Sequence, residues 1–167
     1  MSASILRYGL LFLVCVLLQV LIFNNIVLFH VAVPIVFIYF IIHLPINLKL
    51  SYVFTFSFLL GLIVDVFSDT PGVNALACTL TSALRIPIYY AYVAKDDVTS
   101  RQIPTISTLG IIEYSKYLLT FIVVYCLLAF SIEYFSFADV KEIAIMTGSS
   151  AVLTFILLLA FDSLIPE

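Results

Sequence analysis

Long apolar runs separated by short polar breaks organise the whole chain. Leu10 to Leu18 and Leu118 to Phe130 are nearly unbroken apolar stretches. A membrane-barrel strand would alternate apolar and polar residues over roughly ten positions, so these runs predict helices in hydrocarbon. Turn chemistry marks the breaks: Asn24-Asn25, Pro45 to Lys49, Asp69-Thr70-Pro71-Gly72 and the charged stretch Lys95 to Pro104. At about 20 residues per crossing, the pattern predicts about six transmembrane helices in a compact bundle. The fold class is thus an all-α polytopic membrane protein, with residues 1–167 forming a single transmembrane domain. The expected spans are Ile5 to Phe23, Ile26 to Ile42, Leu50 to Phe67, Val73 to Tyr92, Ile106 to Ser131 and Val140 to Phe161.

Composition agrees with a lipid solvent. Of 167 residues, 64% are hydrophobic and 10% charged, more apolar surface than a soluble core of this size can hide. Met1 to Phe23 could imitate a signal peptide, but no small-x-small cleavage site follows and further apolar segments do, so it reads as a retained first span. A net charge of -3 without a basic run gives no footprint for nucleic acid, leaving protein and the lipid bilayer as partners. With the N-terminus in the cytoplasm, Arg7, Lys49, Lys95 and Arg101 fall on the cytoplasmic side and only Lys141 on the other. Both termini are then cytoplasmic. Tyr89, Tyr90 and Tyr92 would sit at the cytoplasmic interface and Tyr134 at the outer one.

Cys15, Cys78 and Cys126 are far apart within apolar stretches, which gives neither a disulfide framework nor a zinc spacing. His30 and His43 flank the second span at opposite ends, too distant to share a metal. No cofactor or metal site is read. No nucleophile with a base and no pair of cooperating aspartates is visible outside a turn, which sets an enzyme aside. No internal repeat is apparent, which counts against an inverted-repeat transporter.

Charged residues within the spans are the informative ones. A charge at the bilayer centre costs roughly 3 kcal/mol on insertion scales, while each large apolar residue returns about 0.3 to 0.6. The fourth span, with many small residues plus Arg85 and Pro87, is therefore marginal and should insert with neighbours. Asn74, Thr81, Ser82 and Arg85 share one face of it, which should point inward. At about 1.5 Å per residue from Pro71, Asp65 would lie about 9 Å deep and Arg85 about 20 Å, so the two do not match. Glu113, with Lys116 one turn beyond it, is the expected partner of Arg85; the plainer alternative is that Arg85 and Lys116 snorkel separately to the headgroups. Thr147 to Ala151 form a small-residue patch read as helix packing. Gly61, Asp65 and Asp69 recur every fourth residue, placing a small residue in line with two carboxylates before the turn. Asp69 before Thr70-Pro71-Gly72 is ordinary turn chemistry. Asp65 is either a hydrated interfacial acid or an acceptor that orders the loop.

The segment from Gly61 through Asp65, Asp69 and Gly72 to Asn74-Ala75-Leu76 resembles the signature of the rod shape-determining protein MreD family, a G-L-x-x-D before a short turn and a G-x-x-A-L segment. Asn74 departs from the His or Gln common there, and basic residues are few. The resemblance implies a non-enzymatic scaffold of bacterial cell elongation in the inner membrane. It would bind the single-span MreC and support MreB, RodA and a class B penicillin-binding transpeptidase. It also implies a fold similar to the substrate-binding subunits of energy-coupling vitamin transporters. Such a subunit is the alternative function, and a small secondary transporter working through Arg85, Glu113 and Lys116 is a further one.

Overall fold

The computed structural model describes residues 2–25, 33–93, 103–134 and 140–164. The helices are α1 (Ser2–Leu21), α2 (Ile38–Ile42), α3 (Leu50–Ser68), α4 (Val73–Tyr92), α5 (Ile106–Leu109), α6 (Ile111–Glu133) and α7 (Val140–Leu164), with a 3₁₀ turn at Phe23–Asn25. No strand occurs among the described residues. By length and composition α3, α6 and α7 can cross a membrane, which makes the chain a helical membrane protein in outline. Leu6, Leu10, Leu13 and Leu21 of α1, Val66 and Phe67 of α3, and Val152 and Ile156 of α7 remain exposed. Lipid suits such a surface and water does not.

Neighbouring helices run in chain order around the bundle: α1 meets α3, α3 meets α4, α4 meets α6, and α6 meets α7. Inside this arc lies α2, which touches α1, α4 and α6. Phe37, Ile38, Ile41 and Ile42 are almost completely enclosed, so the shortest pieces of chain form the centre of the core. Tyr125 and Phe37 meet edge-on there, with ring centroids 5.7 Å apart.

The expected second span, Ile26 to Ile42, is not one helix. Residues 26–32 lie outside the described residues, as do His30, Lys95, Arg101 and Asp139. Residues 33–36 are irregular and only Ile38–Ile42 is helical. Pro34 explains the break, since it disfavours helical geometry at Val33 and has no amide hydrogen. Backbone this deep must find partners within the protein. Side chains supply them: Val33 N–H donates to Ser150 Oγ (3.1 Å), Ile35 N–H to Thr154 Oγ1 (3.0 Å) and Val36 N–H to Gln19 Oε1 (2.8 Å), while Gln19 Nε2 donates to the Pro34 carbonyl (3.1 Å). The expected fifth span also divides. Gly110, at φ 83° and ψ 154°, separates α5 from α6, a conformation open to glycine and hardly to other residues. Of the small-residue patch on α7, Thr147, Ser150 and Ala151 are buried and Gly148 is exposed.

Candidate functional site

The α3–α4 turn is built around Asp65. One helical turn before it, Gly61 lies against the α4 backbone: a Cβ there would sit 2.4 Å from the Asn74 carbonyl oxygen and 2.6 Å from Ala75 N and Cα. Only glycine permits this approach. The close contact brings the buried Asp65 carboxylate to the start of α4, whose Gly72 N-cap has no side chain to accept the first amides. Asp65 does so from the neighbouring helix. Its Oδ2 accepts from Ala75 N–H (2.8 Å), and its Oδ1 from Asn74 N–H (2.9 Å), Asn74 Nδ2 (3.0 Å) and Thr70 Oγ1 (2.7 Å). A negative charge at a helix N-terminus also opposes the helix dipole favourably.

The remaining motif residues shape the turn. Asp69 takes the left-handed conformation (φ 55°) at the end of α3, its N–H donating to the Asp65 carbonyl, while its side chain is exposed. Gly72 also has positive φ, at 82°. Asn74 carries the network onward, because its Oδ1 accepts from the enclosed Tyr125 hydroxyl of α6 (2.5 Å). Nearby, Asn24 Nδ2 donates to Ser68 Oγ (2.8 Å) and Gln19 Nε2 to Asn24 Oδ1 (3.1 Å), joining α1 to α3. A cavity of 380 Å³ opens between these groups, lined also by Asn74, Asp69 and Glu133.

Arg85 occupies another part of the bundle, and its surroundings correct the expected pairing. It is 1% exposed and donates from Nη2 to the Leu44 carbonyl, leaving Nε without a hydrogen bond. Tyr117 and Tyr8 are among its neighbours. Glu113 and Lys116 are exposed on α6, and no Arg85–Glu113 ion pair forms among the described residues. The geometric reason is rotation about α6: Tyr114 and Tyr117 face the core, which turns Glu113 and Lys116 outward. Thr81 and Ser82 are enclosed with Arg85. Tyr89, expected at the interface, is enclosed too, whereas Tyr90 is exposed and the Tyr92 hydroxyl bonds Thr120 Oγ1 (2.8 Å).

One polar cluster escaped the sequence reading. Asp162 of α7 accepts from the hydroxyls of Tyr39 (2.7 Å) and Tyr114, and His43 Nε2 stands 3.4 Å from its Oδ1. His43 Nδ1 is 3.1 Å from the Tyr39 carbonyl, so in the imidazolium form both ring nitrogens donate to oxygen. These residues come from three distant parts of the chain. The available signal was one carboxylate near the end of an apolar run, which by itself reads as an interfacial acid. Among the described residues, no group of three or more His, Cys, Asp and Glu could hold a metal ion. Comparison with protein-family models, with curated proteins and with solved structures found no match.

Proposed function

We propose that the chain is a non-enzymatic membrane scaffold of the MreD kind. It would sit in the bacterial inner membrane with about six spans and cytoplasmic termini, bind the single-span MreC, and support lateral wall synthesis with MreB, RodA and a class B penicillin-binding transpeptidase. The observation that supports this reading most is the use to which the motif is put. Gly61, Asp65, Gly72 and Asn74 are engaged in holding α3, α4 and α6 together, with every Asp65 contact a structural hydrogen bond. Such a bundle acts through its outer helix faces, and its natural partner is another membrane helix. Asp65, being buried, would influence a partner only through the shape it maintains.

The 380 Å³ cavity, in which Gln19, Asn24, Asn74 and Glu133 share the lining with apolar residues, favours the alternative of a vitamin-binding subunit. Affinity co-purification of the tagged full chain from native membranes, followed by mass spectrometry, separates the two. Recovery of MreC with elongation proteins is the expected result. Recovery of a transporter ATPase pair in their place would overturn the scaffold reading.

A further inference from the structure

We propose that a 640 Å³ cavity between the start of α1, the start of α6 and the end of α7 is a binding site for the phosphate of an anionic amphipath. This does not depend on the scaffold reading. The volume lies within the roughly 300 to 1,000 Å³ of small-molecule sites. Leu11, Ile106 and Ile111 give the cavity apolar walls, while Arg7, Tyr8 and Ser163 place a cation and hydroxyls on the same lining.

The charges select the ligand. Asp162 also lines the cavity, but Tyr39, Tyr114 and His43 already occupy its oxygens, so it is poorly placed to hold a cation. Arg7 forms no ion pair among the described residues. Arg7 is therefore the lining cation left to meet an anion, since His43 stands against Asp162. Arginine with hydroxyls is a donor set suited to phosphate oxygens, and the apolar walls suit an attached hydrocarbon. A phospholipid headgroup and a soluble phosphate ester share this chemistry.

The test is a native mass-spectrometry titration of the full chain in detergent, with dioleoyl phosphatidylglycerol and dioleoyl phosphatidylcholine as probes. Phosphatidylglycerol should bind several-fold more tightly, and Arg7→Gln should weaken it about tenfold, the equivalent of one lost charged hydrogen bond. Ser163→Trp, which fills the cavity and leaves Arg7 in place, should weaken it as well. Millimolar inorganic phosphate that displaces the lipid would identify soluble phosphate as the source; failure to displace it would identify the headgroup. Equal binding of both lipids to the wild type would overturn the proposal. So would undiminished phosphatidylglycerol binding by folded Arg7→Gln or Ser163→Trp.

Discussion

Asp65 and Asp69 are four residues apart, one in the last turn of α3 and the other just past its end, and their environments separate them. Asp65 is buried and accepts from four donors, so Asp65→Ala leaves the Asn74 and Ala75 amides without their acceptor. Hydrogen bonds to a charged group are worth about 1.5–3 kcal/mol each but are not additive, and a loss of roughly 3 kcal/mol is expected. Reversible unfolding in mixed micelles would measure it. Asp65→Asn should recover little, because its amide nitrogen would turn a donor toward the N–H groups it must serve. Asp69 is exposed and sits at positive φ, so Asp69→Gly should be neutral or stabilising by up to about 1 kcal/mol in the same assay. A large loss at Asp69 would mean that its carboxylate has a role the turn geometry does not provide. Sequence spacing made both acids visible. Turn chemistry set Asp69 aside, but whether Asp65 is hydrated or enclosed stayed open, because its burial depends on Gly61 letting α4 come close.

At the scale of elements, hydropathy captured the long helices and missed the break in the second apolar run. Periodicity records whether residues avoid water, and the buried non-helical stretch at 34–37 avoids it as thoroughly as a helix does. Pro34 was a local signal of interruption, but Gln19, Ser150 and Thr154, which make the interruption tolerable, are distant in sequence. Gln19 has the largest share of this work, since it bonds both the Val36 amide and the Pro34 carbonyl. Gln19→Leu nearly preserves volume and removes both bonds together with the one to Asn24; a cost of about 2–4 kcal/mol is expected from the unsatisfied backbone groups. Hydrogen exchange should then show the Val36 amide opening sooner, while amides in the middle of α6 remain protected. Uniform loss of protection would instead place Gln19 in the stability of the entire bundle.

Across the whole molecule, apolar composition and the turn motif were legible in the sequence, whereas the partners of the inward charges were not. Depth along the membrane suggested Glu113 for Arg85, but a helix also fixes rotation, and the aromatic face of α6 turns that acid outward. Asp162 shows the same limit from the other side: its partners come from α2, the residue that follows it, and α6. If this cluster ties the two ends of the fold together, His43 and Asp162 should be energetically coupled. His43→Gln and Asp162→Asn, singly and together, form a double-mutant cycle read by unfolding in micelles, with an expected coupling of about 1–2 kcal/mol. Each single change leaves the other group short of a partner in a partly enclosed site, so the double variant should lose less than the two losses added. Strict additivity would mean that the 3.4 Å approach contributes nothing beyond proximity, and that the hydroxyls of Tyr39 and Tyr114 alone hold the end of α7 against the core.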